Sequence, residues 1–583
     1  MPLPELSGTL GIRNAAHLLR RATFGATKAE LETFAALTPA QATEALFHQT
    51  LPDPQPPIDP KTGTEWIYSG VTDANSEGFE LENYYLAWHL GQMMSAGVPA
   101  NLSLAYSARE KIVFFLHTHF TTIKSKVFSV PALFFQNLLF RQFALDSDLD
   151  ETYNIKNLTV KISVDNAMLR LLDGNQNVKG RVNENYAREL LELYTIGRGL
   201  AGKVPDGLAT GDYYVFTEQD VQAAARVLSG WNADLDFATI DEDTGLPRGR
   251  ARGSELNASS HDNDVKTFSH RFNSQSVIPD PTLLNGTNPT EASALDEIRQ
   301  LIDIIYSSEE TARNICWKIY RFFVHAPHDL WEPGNKVAYI DEHIITPMAE
   351  MLRSNGYKIQ PVIENLLRSE HFYHSGNAEV VDDNYGSIIK SPLDLAVGTL
   401  RTFGVTVPDM NTDVDGFYRI TEYLLRVVED LGMTFYEPYD VAGYEAYHQF
   451  PIYNRIWITP NSLAKRYDFI RHLFQYEMPS TVSIDVLEYV SANFSAEASD
   501  ARQLIIALAG TLLPMAENLT FDGDADDSST LTAQRLNYFM ERFLQEFDEA
   551  YWTTRWNNGA GDLRDQLIFL FNAMLQTPEY QLA

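Results

Sequence analysis

Two carboxylates, Glu189 and Glu192, stand three residues apart beside Arg188 in the stretch Asn183-Glu-Asn-Tyr-Ala-Arg-Glu-Leu-Leu-Glu-Leu-Tyr-Thr-Ile-Gly197. On a helix that spacing puts both acids on one side, one turn apart, where they can bind a divalent metal or divide the roles of general acid and base. Arg188 beside them is suited to orient a carboxylate or to hold an anionic substrate. The plainer reading is a surface helix in which Arg188 and Glu192 form an i, i+4 pair. Tyr186, Ala187, Leu190, Leu191, Leu193 and Tyr194 make a wide apolar face, and Gly197 is a natural stop.

Two further segments carry groups able to join such a site. In Arg109-Glu-Lys-Ile-Val-Phe-Phe-Leu-His117-Thr-His119-Phe120 apolar residues wrap the helix on every side, which predicts burial. The two histidines project roughly 200° apart on a continuous helix, so both can reach one ion only if the helix ends there. Each is either a satisfied core histidine or a metal ligand or base. His261-Asp262 can supply two metal ligands or form an Asx-type surface turn, within a segment rich in turn formers.

Other signals are weaker. Asp522-Gly-Asp-Ala-Asp526-Asp527 resembles the start of a calcium loop, but Asp527 stands where Gly is needed and Ala533 where Glu is needed. Tyr436, Tyr439, Tyr444, Tyr447, Phe450, Tyr453 and Trp457 crowd a turn-rich segment, where rings either wedge a loop onto the core or stack on a sugar or a partner. Cys316 is alone, between Ile315 and Trp317, which excludes an intrachain disulfide and suggests a buried thiol. No Walker loop, dinucleotide fingerprint, Gly-x-Ser-x-Gly elbow or His-Glu-x-x-His pair occurs.

The elements that must position these groups read as helices. Thr27 with Glu30, Thr38-Pro-Ala-Gln41 and Thr217-Glu-Gln-Asp220 are helix starts, and helical patterns run over 81–94, 108–121, 130–143 and much of the last third. No series of alternating strands appears. The expectation is a single large all-α domain over residues 1–583, with a Pro-rich loop at 51–63, a long polar loop insertion at 234–289 and an aromatic-rich loop at 434–460.

With 583 residues, 44% of them hydrophobic, the chain can bury a large core. Its formal charge of −33 argues against nucleic acid and against anionic lipid as partners. No stretch approaches 18 apolar residues and the start lacks a signal pattern. The protein is therefore expected to lack a membrane span and to be cytoplasmic by default, or to be a form without its leader.

Taken together, several motifs resemble one large bacterial family, catalogued as domain of unknown function eighteen hundred. They are His17-Leu-Leu-Arg-Arg-Ala-Thr-Phe-Gly25, the His117–Phe120 helix end, Asn183 to Gly197, Thr217 to Trp231, His261-Asp262 with Lys266-Thr267-Phe268, Ile389-Lys-Ser-Pro392, Leu431-Gly432, Glu437-Pro438 with Val441-Ala-Gly443, and Trp457-Ile-Thr-Pro-Asn461. Leu116, Ala442 and Tyr444 depart from the pattern, in which Trp, Lys and Trp are usual. The resemblance implies no activity. Members of the family are often encoded beside an exported protein resembling sulfatases and alkaline phosphatases, which implies an extracytoplasmic role or partner.

The expectation that follows is a polar site between the helix at about 184–196 and the helix ending near His119, covered by the His261 loop. In it a metal-dependent hydrolase would use His117 or His119, Glu189, Glu192, His261 and Asp262 as metal ligands or acid and base groups, with Arg188 orienting the substrate. The alternative is a non-catalytic accessory or binding protein serving an exported sulfatase-like partner or a carbohydrate surface, with the Arg188, Glu189 and Glu192 stripe as a buried structural network.

Overall fold

Helices begin where the sequence supplies its own caps. Thr27 accepts the Glu30 N–H (3.3 Å) while Glu30 accepts the Thr27 N–H (2.8 Å), starting the helix Lys28–Ala35. The same reciprocal arrangement opens Pro39–Phe47 from Thr38 and Gln41, Glu218–Val227 from Thr217 and Asp220, and Pro392–Thr402 from Ser391 and Asp394. Each cap satisfies backbone donors that a helix start leaves orphaned, worth about 1 kcal/mol. A computed structural model describes residues 2–67, 71, 78–200, 203–328, 336–373, 384–474, 482–514, 516, 518–523, 531–559 and 563–583. The calcium-like run from Asp524 to Asp527 lies outside the described residues.

The fold is all-α, as expected. Its middle is the helix Ser103–His119, in which every residue from Leu104 to His117 is buried. Around it pack Pro39–Phe47, Phe79–Met93, Val130–Ala144 and Glu309–Phe323. The helix Val414–Asp430 lies along Phe79–Met93, so the later part of the chain returns onto the earlier. At the far end Ala533–Leu544 pairs with Leu563–Leu575, and Ala501–Leu512 reaches back to Gly11–Ala22. Buried apolar side chains from all of these regions join one continuous core. Cys316 is part of it, its thiol pushed up well above the usual range by burial.

Strands among the described residues are two residues long and antiparallel. Ile58–Asp59 faces Thr64–Glu65 at the end of the Pro-rich loop. Trp231–Asn232 pairs with Arg250–Ala251, and Lys266–Thr267 with Ser276–Val277, within and beside the polar segment 234–289. That segment is tied to the helices around it. Asp220 accepts hydrogen bonds from the Ser269 backbone N–H (2.6 Å) and hydroxyl (2.7 Å), and Lys266 is fully buried beside Glu297. No helix among the described residues is long and apolar enough to cross a membrane.

A helix buried on every side must pair each charge it carries. Glu110 does so with Arg141 from Val130–Ala144, through Nε (3.0 Å) and Nη2 (2.5 Å), both groups lying out of solvent. Lys111 pairs with Asp394 at the start of Pro392–Thr402, and Arg109 donates to the Pro52 carbonyl (3.1 Å), anchoring the Pro-rich loop. Replacing Glu110 by Ala strands the Arg141 charge in the core. The expected loss is about 3 kcal/mol or more, read as a lower urea midpoint, with Glu110→Leu plus Arg141→Met recovering much of it.

Candidate functional site

The stretch around Glu189 is a helix with a change of pitch inside it. Asn185–Glu189 is α-helical, and Leu190–Tyr194 continues as a π-helical turn. Tyr186, Ala187, Leu190, Leu191 and Tyr194 are buried, and the Tyr186 hydroxyl donates to the Ile162 carbonyl (2.7 Å). Leu193, expected on this apolar face, is only half-buried. The wide turn closes through the Thr195 hydroxyl on the Leu190 carbonyl (2.6 Å) and the Gly197 N–H on the Leu191 carbonyl (2.9 Å). Gly197 is required, with φ at +75° and an added Cβ lying 2.9 Å from the Asn314 side chain.

Arg188 and Glu192 do not pair with each other. Arg188 donates to Glu218 (2.7 Å) and the Tyr213 hydroxyl (3.2 Å) and lies 3.4 Å from Glu184, while Glu192 accepts from Arg198 (2.7 Å). The π turn is the reason: an extra residue in the turn takes i and i+4 out of alignment. Arg188 is thus engaged by the helix Glu218–Val227, and its guanidinium is raised above its ordinary range by Glu218.

Glu189 has no hydrogen-bond or ion-pair partner among the described residues. Its pKa is raised to about 7, first by burial and then by the charge of Glu192, with Asp440 adding to it and Arg188 and Arg198 opposing. Asp440, from the aromatic-rich loop, also acts on Tyr194, whose hydroxyl lies 3.4 Å from the Val441 carbonyl. One turn along from Glu189, the Leu193 carbonyl accepts from Lys318 of the helix Glu309–Phe323. Burial lowers the Lys318 ammonium to about 7, helped by Arg321. His448 lies 3.9 Å from Asp440 and is held below its ordinary range by burial.

The helix ending at His119 does reach this region. His119 Nε2 donates to the Tyr194 carbonyl (2.9 Å), and the ring is kept neutral by burial and by the charge of Lys318. His117 diverges, as its i, i+2 spacing requires. Its ring packs on Tyr436 with centroids 4.2 Å apart, neither nitrogen has a hydrogen-bond partner among the described residues, and burial lowers it to about 3.

His261 and Asp262 belong to a different junction. His261 Nδ1 donates to the Ser229 carbonyl (2.9 Å), and Nε2 lies 3.1 Å from Glu297. Asp262 takes a two-pronged contact from Arg226 (2.7 and 3.3 Å). Arg188 is held at Glu218 and Asp262 at Arg226, eight residues apart on one helix, a separation of about 12 Å. The His261 segment therefore clamps the far end of that helix and does not cover Glu189. The six expected ligands do not fit one ion, and no group of three or more His, Cys, Asp or Glu among the described residues is arranged to hold a metal.

In the aromatic-rich loop Phe435, Tyr436, Tyr444, Tyr453 and Trp457 are buried, which is the first of the two expected roles, a wedge onto the core. Tyr439, beside Asp440, is 88% exposed, and Phe450 is exposed as well. Gly443 has φ at +99°, and a Cβ there would lie 2.5 Å from the Thr121 hydroxyl, so the loop and the end of the Ser103–His119 helix meet backbone to side chain.

A family model described as a protein of unknown function (DUF1800) matches residues 17–582. The chain belongs to the DUF1800 family. No curated protein and no solved structure matches it.

In this DUF1800 protein the sequence pointed to Glu189, Glu192 and His119 but missed Lys318, Asp440 and His448. Lys318 falls within an amphipathic helix with no motif around it, and Asp440 and His448 are single polar residues among rings. The convergence of these groups is tertiary and left no local signal. The raised Glu189 pKa has a consequence for stability. Below about pH 4.5 the carboxyl is protonated folded or unfolded, and between about 4.5 and 7 the folded chain keeps a proton that the unfolded chain releases, so stability falls as pH rises. Glu189→Gln is expected to melt like the parent near pH 4 and above it at pH 8, the gap opening across that window in thermal melts.

Proposed function

We propose that the protein is a hydrolase in which the Glu189 carboxyl is the acid and base group and Glu192, held by Arg198, is the second carboxylate of the site. One observation carries this reading: a part-buried carboxyl with no hydrogen-bond partner among the described residues has its pKa near 7. Such a group takes and returns a proton at neutral pH, which is the requirement for protonating a leaving oxygen or activating water. Lys318, also poised near 7, is a second titrating group on the same helix junction and, when protonated, favours a developing negative charge. Arg188, next to Glu189 in the chain, is held by Glu218 and the Tyr213 hydroxyl and so fixes the turn that carries the carboxyl. His117, His261 and Asp262 are engaged elsewhere, so in the metal-dependent form of this reading Glu189 and Glu192 would hold the ion.

The test is a panel of chromogenic phosphate, sulfate, carboxylate and glycosyl esters. Glu189→Gln is expected to lower turnover by about 10²-fold or more while melting no lower than the parent, and to lose the limb near pH 7 in the rate profile. Elemental analysis with and without chelator decides the metal route. Unchanged turnover in both Glu189→Gln and Lys318→Met would sink the proposal.

A second reading rests on Tyr439, a ring 88% exposed next to Asp440. A ring in that position suits stacking on a sugar or on a partner surface, as a non-catalytic accessory protein would use it. A sulfatase-like or alkaline-phosphatase-like protein is the partner to look for by co-purification. Binding to polysaccharide or partner that is lost in Tyr439→Ala, with no turnover of any ester, would favour this reading.

A further inference from the structure

Away from Glu189, two segments far apart in the sequence meet, together with Thr511, Leu512, Tyr580 and Ala583, around a cavity of about 50 Å³. One is the helix Gly11–Ala22 with its exit to Gly25, and the other runs from Lys390 into the helix Pro392–Thr402. Arg20, Lys390, Asp394, Tyr580, Gly25 and Gly398 line it. The glycines bring two backbones together. Gly25 has φ at +105°, and a Cβ on it would lie 2.8 Å from the Gly398 carbonyl oxygen.

The charges around this cavity do not balance. Asp394 is already used: its carboxylate accepts from the Ser391 hydroxyl (2.8 Å) and backbone N–H (3.3 Å) and pairs with Lys111. Arg20 donates to the Thr511 carbonyl (2.9 Å) and has no carboxylate partner among the described residues. Lys390 is 7% exposed, with its ammonium 3.7 Å from the centre of the Tyr580 ring and no hydrogen-bonded carboxylate or carbonyl among the described residues. Arg466 stands close by, its guanidinium on the Lys390 carbonyl (2.8 Å). Burial and Arg20 hold the Lys390 ammonium well below its ordinary range, and burial lowers Arg20 to about 10. These cations sit together inside a protein whose formal charge is −33.

Asp394 is the one carboxylate that acts on Lys390 among the described residues and it is shared with Lys111, so the buried ammonium is costly, and a cavity beside it is the place where a further counter-charge can be supplied. We propose that this cavity is a binding site for a single tetrahedral oxyanion, phosphate or sulfate, held by Arg20 and Lys390. Its size agrees: a water needs roughly 10–15 Å³ by the same measure, so the space suits a few waters or one such anion. Guanidinium and ammonium are the side chains that recognise these groups, the first through its fork and the second as a point charge. Asp394 selects against larger negative charge on its own side. The ligand is either the free anion or the terminal phosphoryl group of a monoester.

Calorimetric titration and thermal melts of the full chain with inorganic phosphate, sulfate and glycerol phosphate, against chloride at matched ionic strength, test this. Saturable binding of phosphate or sulfate with a raised melt is expected, weakened at least tenfold in Lys390→Met. Tighter binding of glycerol phosphate than of phosphate assigns the site to an ester, and the reverse assigns it to the free anion. Without ligand, Lys390→Met is expected to melt no lower than the parent, because it removes an incompletely compensated cation; a structural lysine would give a lower melt. Should that variant unfold, Arg20→Gln is read in the same titration. Absence of saturable binding of all three probes at about 10 mM, or equal binding by parent and both variants, overturns the proposal.

Discussion

A helix enclosed on all sides leaves no solvent to absorb the charges it carries, and Ser103–His119 is such a helix. Its polar groups therefore dictate where its neighbours must lie. Glu110 fixes Val130–Ala144 through Arg141, Lys111 fixes the start of Pro392–Thr402 through Asp394, and Arg109 holds the Pro-rich loop at Pro52. At its end His119 meets the Tyr194 carbonyl and so places the π turn that follows Glu189. Both proposed sites are consequences of this strut. One begins at its last residue, and the other uses Asp394, whose charge it has already neutralised.

The two sites have opposite electrostatic characters. Around Glu189 the excess is negative, with Glu192 and Asp440 near a carboxyl that is driven towards its neutral form. Around Lys390 the excess is positive, with arginines near an ammonium that is driven the same way. In both, burial is the larger effect and like charge adds to it, which is how a fold holds groups near the point of titration. Opposite-charge pairs elsewhere, such as Arg226 with Asp262, show the contrasting outcome, a carboxylate held below its usual range.

Local chemistry was legible in the sequence; long-range pairing was not. The capping boxes at Thr27, Thr38 and Thr217 set helix starts because a cap is decided within four residues. The all-round apolar pattern before His117 gave burial correctly, and Gly197 ended its helix as read. The Arg188 and Glu192 pair failed because an α-helical spacing was assumed across a π turn, which composition does not announce. His261 and Asp262 were placed with Glu189 on polarity alone, whereas their partners, Glu297, Ser229 and Arg226, lie on other elements. Lys390 and Arg20 stood in segments marked as motifs, yet their meeting depends on a return of the chain over more than 350 residues.

The π turn at Leu190–Tyr194 also sets a rule for how this stretch can change. It holds one residue more than an α-helical turn, so the chain on either side is in two different angular frames. A substitution inside the turn alters a contact, but loss of a single residue would merge the frames and swing everything beyond it by about 100°. Thr195 and Gly197 would then leave Asn314, and the Leu193 carbonyl would leave Lys318. In this segment length is the protected quantity, more than the identity of any one side chain.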